Sequence, residues 1–174
     1  MNHIIIEGFM GSGKSKVGRI LAKNMELPYI DVDKLITTKM KMSVNDIFER
    51  FGEAYFRAIE SFVLKQLLDE KKRSIICIGG GVATMEQNLV YLKQMGKVVY
   101  LKKPVTELVA RLEEKRADDP FFKGARIADT VKKMLAEREP YYKKAADVIL
   151  DAKGMTPEQM AAEIQKQFSL SGEA

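Results

Sequence analysis

The chain has 174 residues, of which 46% are hydrophobic and 30% are charged, a composition typical of one soluble globular domain. Its 29 Lys and Arg residues outnumber the 24 Asp and Glu residues, giving a net charge of +5. These charges are spread along the chain without a dense basic tract, so we do not expect a nucleic-acid partner. A single cysteine excludes an internal disulfide, and no apolar run is long enough to span a membrane. We therefore expect a cytoplasmic protein without a signal peptide or a membrane partner.

A glycine-rich segment near the N-terminus, Gly8–Ser15, fits the phosphate-loop pattern G-x-x-x-x-G-K-[ST] at every fixed position. The apolar run at residues 3–6 predicts a buried strand before it, and helical spacing of apolar residues predicts a helix after it. Glycines let the backbone N–H groups of such a loop turn toward an anion. We therefore expect a nucleoside triphosphate to bind here, with Lys14 on the outer phosphates and Ser15 as a ligand of Mg²⁺. The predicted nucleotide contacts in this segment are Gly11, Ser12, Gly13, Lys14, Ser15 and Lys16.

The rest of the chain alternates between strand and helix patterns. Further strands are predicted at 29–33, 74–78, 98–101 and 148–150, and helices at 35–40, 43–68, 86–94, 104–114, 127–141 and from 157 onward. Gly52 divides the helix predicted at 43–68 into two candidate helices. This alternation predicts an α/β fold, a doubly wound five-stranded parallel sheet with helices on both faces. Ligands of such folds bind outside the carboxyl ends of the strands.

Two acids follow the second predicted strand. Asp31 and Asp33 are two residues apart, so at a strand end their side chains initially point the same way. One carboxylate could hold Mg²⁺ through water, and the other could accept a proton or a hydrogen bond from a substrate hydroxyl. The alternative is that one acid caps the following helix and the other is solvated.

Three further features are weaker candidates for a site when each is taken alone. Arg57 and Glu60 lie one helical turn apart, a spacing that on its own is typical of a surface ion pair. Three consecutive glycines, Gly79–Gly81, follow the third predicted strand, where they expose backbone N–H groups and let a ligand approach closely. Arg138 lies near the end of its predicted helix, where a solvated charge is the alternative interpretation.

In this order the motifs resemble those of the shikimate kinases, which are nucleoside-monophosphate-kinase-like P-loop enzymes. The resemblance runs from the strand at Ile4 to the helix after Pro157, nearly the whole chain. The segments that carry it are Gly8–Ser15, Asp31–Asp33, Phe56–Glu60, Gly79–Gly81 and Glu137–Tyr141. The phosphate loop alone is common to many enzymes, whereas the ordered set is specific to this family.

The resemblance implies transfer of the γ-phosphoryl group of ATP to the 3-hydroxyl of shikimate, with Mg²⁺, in aromatic amino acid biosynthesis. It implies that Asp33 binds substrate hydroxyls and is a candidate base, while Asp31 helps to hold the metal through water. It also implies that Arg57 and Arg138 bind the substrate carboxylate, which a planar guanidinium can do with two hydrogen bonds. The predicted shikimate contacts are Asp33, Arg57, Gly79, Gly80, Gly81 and Arg138.

The resemblance further implies one domain of residues 1–174, with a substrate-binding helical segment at about 33–61 and a lid over ATP at about 115–124. We expect a monomer. In the family the lid carries an Arg-Pro-Leu-Leu-like segment, but counting back from Arg138 without a gap places Asp119 at the arginine position. A carboxylate there would repel the phosphoryl group, whereas such an arginine is worth roughly 10³–10⁵ in rate. We hypothesise that Arg116, which is within about 10 Å of extended chain, takes this catalytic role.

The adenine contacts implied by the resemblance are Arg111 and Pro157, although an exposed helical arginine is nearly as compatible with the sequence around Arg111. Two alternatives to a shikimate kinase stay open. One is a related kinase for gluconate or a nucleoside monophosphate. The other is a nucleotide-binding regulatory protein in which Asp119 reflects weakened catalysis.

Overall fold

The computed structural model describes residues 3–115 and 126–170, and its strands form one parallel sheet of five strands in the order β2–β3–β1–β4–β5. The strands are β1 His3–Glu7, β2 Tyr29–Asp31, β3 Ile75–Cys77, β4 Gly96–Lys102 and β5 Val148–Asp151. The helices are α1 Lys14–Asn24, α2 Val32–Met40, α3 Val44–Phe51, α4 Glu53–Leu67, α5 Glu86–Met95, α6 Val105–Lys115, α7 Ile127–Ala145 and α8 Pro157–Leu170, with a 3₁₀ turn at Val82–Thr84. The predicted doubly wound fold is confirmed. None of the helices in the described ranges is long and apolar enough to cross a bilayer.

The sheet is buried on both faces, and the alternation of side chains along β1 divides its residues between two cores. Ile4 and Ile6 pack with apolar side chains of α1 and α8 on one face. Ile5 packs on the other face with side chains of α4, α5 and α7. Alternation places Glu7 on the same face as Ile5, so an acid ends a strand that is otherwise apolar and fully buried.

Two element boundaries differ from the sequence prediction near the site. The second strand ends at Asp31 and α2 begins at Val32, because the Asp31 side chain accepts a hydrogen bond from the backbone N–H of Lys34 at 3.1 Å. The expectation that Asp31 and Asp33 share the end of a strand is therefore wrong. Asp33 lies in the first turn of the helix instead.

Gly52 does divide the long predicted helix, with α3 ending at Phe51 and α4 beginning at Glu53. By contrast, α7 continues through Pro140 to Ala145, beyond the predicted end at Tyr141. Burial of Tyr142 and Ala145 extends the apolar face of α7 and stabilises the helix past the proline. Apart from Lys115, the predicted lid at 115–124, with Arg116 and Asp119, lies outside the described residues.

Candidate active site

A cavity of about 1030 Å³ opens beyond the carboxyl ends of the central strands. One end is formed by the phosphate loop and the first turn of α1. The other end is formed by the first turn of α3, by α4, by Gly79–Gly81 and by Arg138 of α7. The C-terminal half of α6 lines the side nearest the phosphate loop. The topology thus brings most of the sequence-predicted residues to one place.

The phosphate end depends on backbone conformation. Gly11 and Gly13 have φ angles of +83° and +86°, in the left-handed region that favours glycine. Gly13 is the N-cap of α1, and no side chain caps that helix, so its first N–H groups are available to an anion. Lys14 and Ser15 both line the cavity, together with Lys16, whereas Ser12 is buried beneath the loop.

Ser15 and Asp31 come together although they are separated by 16 residues in sequence. The Ser15 hydroxyl donates to Asp31 Oδ2 at 3.4 Å, and the Tyr29 hydroxyl donates to the same oxygen at 3.2 Å. A hydroxyl beside a carboxylate is the hard oxygen set that Mg²⁺ prefers. These residues therefore fit the predicted metal site, with Asp31 serving both this pair and the cap of α2.

The three glycines after β3 are each covered by a charged side chain. A methyl group on Gly79 would lie 2.9 Å from a carboxylate oxygen of both Asp33 and Glu60. On Gly80 it would lie 3.2 Å from Nη1 of Arg138, and on Gly81 it would overlap the guanidinium of Arg57. The glycines are therefore needed because four charged side chains approach this segment closely, and none of the three has a positive φ angle.

Arg57 and Glu60 form a buried ion pair rather than the surface pair that their spacing alone would indicate. The Glu60 side chain is fully buried and that of Arg57 is 12% exposed. Burial raises the pKa of Glu60 to about 7, against the opposing attraction of Arg57. Burial also disfavours the charged form of Arg57, but attraction and hydrogen bonding to Glu60 outweigh it and raise the pKa of Arg57. Glu53 adds a second contact to the guanidinium at 3.3 Å.

Arg138 reaches the cavity from α7 and lies over the ring of Phe9, with Cζ 5.8 Å from the ring centroid. Its guanidinium and the hydroxyl of Tyr142, one helical turn later, lie 3.2 Å and 3.3 Å from the same point, the position of a methyl group on Gly80. Sequence analysis did not single out Tyr142. The spacing of four residues from Arg138 was the available signal, because residues so spaced share a helix face.

The predicted adenine contacts differ in their position. Arg111 lines the cavity, and its Nη1 lies 3.7 Å from the position of a methyl group on Gly13. Pro157 begins α8 and lies outside the lining of this cavity. Met160, in the first turn of α8, approaches the same point of Gly13 to 3.9 Å. Both adenine assignments stay predictions.

The family model for shikimate kinase matches residues 10–169 of the chain. The chain belongs to the shikimate kinase family. It is 36% identical over 168 residues to the shikimate kinase of Thermodesulfovibrio yellowstonii, covering 97% of this chain and 95% of that one. Its fold matches shikimate kinase from Acinetobacter baumannii in complex with shikimate, with a TM-score of 0.90, 31% identity and coverage of 99% and 95% of the two chains. Shikimate kinase from Aquifex aeolicus matches with a TM-score of 0.81, 32% identity and 98% coverage of both chains.

Membership of the shikimate kinase family confirms the assignment that the ordered motifs implied, and it identifies the chain as an ATP-dependent kinase. The cavity agrees with that assignment in its layout, because a phosphate loop lies at one end and paired arginines lie at the other. The roles of the individual residues are taken up next.

Proposed function

We propose that the protein transfers the γ-phosphoryl group of ATP to the 3-hydroxyl of shikimate, giving shikimate 3-phosphate and ADP. The observation that carries the proposal is that a single cavity joins the phosphate loop to two arginines and an aspartate. The two ends are adjacent, because a methyl group on Gly80 would lie 3.4 Å from the backbone oxygen of Gly8. A phosphoryl donor and a small acidic acceptor therefore fit side by side.

At the phosphate end, backbone N–H groups of Gly11–Ser15 donate hydrogen bonds to the β- and γ-phosphates, and Lys14 adds a positive charge. Ser15 would ligate Mg²⁺ directly and Asp31 would hold it through water. When bound, Mg²⁺ neutralises charge on the phosphate oxygens as the bond to the leaving ADP breaks. The side chain of Arg111, beside Gly13, lies close enough to this end to contact the nucleotide.

At the acceptor end, Arg57 and Arg138 bind the carboxylate of shikimate. Glu60 and the rings of Phe48 and Phe56 hold the guanidinium of Arg57, whose Cζ is 5.9 Å and 5.6 Å from the two ring centroids. Glu60 also balances the charge of Arg57 when no substrate is bound. Gly79–Gly81 allow both arginines and the acceptor to lie close to the backbone.

Asp33 lines the cavity beside Gly79 and serves as the proton acceptor. Its carboxylate takes the proton of the 3-hydroxyl as that oxygen forms a bond to the γ-phosphorus. The bond from the γ-phosphorus to the β,γ-bridging oxygen breaks, and the electron pair leaves with ADP. The Asp33 carboxylate is held beside Gly79 by the first turn of α2, which fixes it in the cavity.

The lid residue Arg116 is proposed to reach the migrating phosphoryl group in place of the arginine that Asp119 displaces. Arg116→Ala should then lower kcat far more than it changes the KM for shikimate. Lys132→Ala, which removes an exposed cation of α7 outside the cavity lining, provides the control. An unchanged kcat for Arg116→Ala would remove Arg116 from the mechanism without affecting the assignment of the reaction.

The test of the reaction is an ADP-release assay with Mg²⁺ and ATP and with shikimate, gluconate or a nucleoside monophosphate as acceptor. Shikimate-dependent turnover is expected, with formation of shikimate 3-phosphate confirmed by mass spectrometry. If only gluconate or only a nucleoside monophosphate supported turnover, that compound and not shikimate would be the acceptor. If ATP bound but no acceptor supported turnover, the result would favour a regulatory protein over an enzyme.

A further inference from the structure

We propose that Tyr142 is a positioning residue for the acceptor site, because its hydroxyl fixes both the guanidinium of Arg138 and the backbone of Gly80. The Tyr142 hydroxyl donates to the carbonyl oxygen of Gly80, and the positive charge of Arg138 beside it attracts the hydroxyl oxygen. The inference deepens the proposed function, since it rests on Arg138 as a contact of the substrate carboxylate.

The guanidinium of Arg138 and the hydroxyl of Tyr142 both lie close to the backbone of Gly80. A methyl group on Gly80 would lie 3.2 Å from Nη1 of Arg138 and 3.3 Å from the hydroxyl oxygen of Tyr142. Arg138 and Tyr142 are four residues apart on α7, so they project from the same face of the helix. The hydroxyl thus links α7 to the glycine segment that follows β3.

The hydroxyl is suited to this link because a phenol has one proton to donate and lone pairs to accept. Its proton goes to Gly80, which leaves the lone pairs of the oxygen facing the positive charge of Arg138. Burial raises the pKa of Tyr142 to about 12, so the proton is retained at neutral pH. The side chain is fully buried, and its ring packs at 5.1 Å from that of Tyr100, which leaves it no freedom to turn away.

Loss of the hydroxyl would release two groups together. A long arginine side chain regains rotamer freedom when the polar group that attracts it is removed, so its guanidinium is no longer held for bidentate binding of a carboxylate. The carbonyl of Gly80 would lose its partner in a buried site. The expected consequence is weaker binding of the acceptor, with the phosphate end unaffected.

The test compares Tyr142→Phe with Tyr100→Phe. Tyr100 is a matched control because it is equally buried and packs on the same ring, but its hydroxyl contacts Glu139 at 3.4 Å outside the cavity lining. Tyr142→Phe should raise the KM for shikimate roughly 5- to 30-fold, with a smaller change in kcat and in the KM for ATP. Tyr100→Phe should leave all three close to the wild-type values.

Two further measurements separate this inference from the proposed function. The side-chain Nε–H signal of Arg138, identified by its loss in Arg138→Lys, should shift in Tyr142→Phe and stay in place in Tyr100→Phe. In a double-mutant cycle, Arg138→Ala should raise the KM for shikimate, and adding Tyr142→Phe should raise it little further.

Each outcome has a definite meaning. Equal KM values for shikimate in Tyr142→Phe and Tyr100→Phe, or an unmoved Arg138 signal, would overturn the positioning role. A parallel rise in both KM values, accompanied by a lower melting temperature, would also overturn it in favour of a purely structural role. An Arg138→Ala variant with wild-type KM would instead remove Arg138 from the substrate site, while the Arg138 signal would still report whether Tyr142 holds it.

Discussion

The two ends of the cavity are built on different principles, although both depend on glycine. At the phosphate end, Gly11 and Gly13 adopt φ angles of +83° and +86° and present backbone N–H groups from one continuous segment. At the acceptor end, Gly79–Gly81 have no positive φ angles and serve as space for charged side chains. Those side chains come from three helices, α2, α4 and α7, that are far apart in sequence.

This difference predicts which kinds of substitution would impair each end of the cavity. A backbone site tolerates changes around it but not a change in its own conformation. A side-chain site depends on several elements holding their relative positions, so it is sensitive to any residue that keeps a guanidinium or carboxylate in place. The following substitutions test this difference between the two ends, beginning with the largest expected effect.

Removal of the Lys14 side chain at the phosphate end should have the largest effect. Lys14→Ala is expected to lower kcat by roughly 10²–10³, because it removes a positive group aimed at charge that develops on the phosphates. Steady-state kinetics with ATP and shikimate measure the change. Lys23→Ala, an exposed residue in the last turn of the same helix, serves as the control and should behave as wild type. A Lys14→Ala enzyme with near-normal kcat would mean that the backbone alone stabilises the transferred group.

Alanine substitutions of one glycine from each end test the contrast itself. Gly81→Ala places a methyl group where the Arg57 guanidinium lies, so it should raise the KM for shikimate roughly 10- to 100-fold through loss of a charged hydrogen bond. A methyl group in Gly13→Ala makes only ordinary van der Waals contacts, the nearest at 3.7 Å, but the substitution strains a positive φ angle and should raise the KM for ATP. Two variants that both raised the same KM would show that the ends are not separate.

Glu7 is the last residue of β1, directly before the phosphate loop, and its carboxylate is buried. Burial raises the pKa of this acid from its usual value of 4.5 to about 9. Between these values the folded protein holds a proton that the unfolded chain releases, so stability falls as pH rises from about 4.5 to about 9. Relative to Glu7→Gln, the wild-type free energy of unfolding should decline by at most about 1.4 kcal/mol per pH unit in that window. Urea titrations of both proteins from pH 5 to pH 9 measure the difference, and parallel profiles would contradict it.

The smallest effect is expected from a substitution at the N-cap of α3, the helix whose first turn lines the acceptor end of the cavity. The Ser43 side chain caps α3 by accepting a hydrogen bond from the backbone N–H of Asp46 at 3.1 Å. Ser43→Ala should lower the free energy of unfolding by about 1 kcal/mol. It should also raise the KM for shikimate slightly, because the first turn of α3 lines the cavity. Ser43→Thr keeps a capping hydroxyl and should stay near wild type in urea unfolding. A destabilised Ser43→Thr would attribute the effect to packing rather than to the cap.

The same contrast explains what could be predicted from the sequence. The phosphate loop was identifiable from eight consecutive residues because its function resides in local backbone conformation. The sheet and its helices followed from alternating periodicity, and the ordered motifs led to the correct family. Even so, the strand ends were uncertain: Asp33 lies in α2 because the capping bond of Asp31 ends the strand early.

The acceptor end could be only partly anticipated. Sequence spacing alone favoured a surface ion pair for Arg57 and Glu60, because nothing in the local sequence indicates that α4 buries this pair against Gly81. Tyr142 was not identified, since its importance depends on the distant Gly80 carbonyl. The metal-binding role of Ser15 and Asp31 stays a prediction, whereas their contact with each other and the contact of Tyr29 with the same carboxylate come from packing.

The reactivity of Cys77, the one cysteine in the sequence, can be used to measure opening of the phosphate end. Cys77 is 2% exposed, and its thiol donates to the backbone oxygen of Lys14 at 3.3 Å, beneath the first turn of α1. Burial raises the pKa of the thiol to about 12, so it is protonated as well as shielded. An alkylating reagent can therefore react only when α1 separates from β3. The rate of that modification measures how often the phosphate loop opens, and slower modification with ADP present measures how firmly the nucleotide closes it.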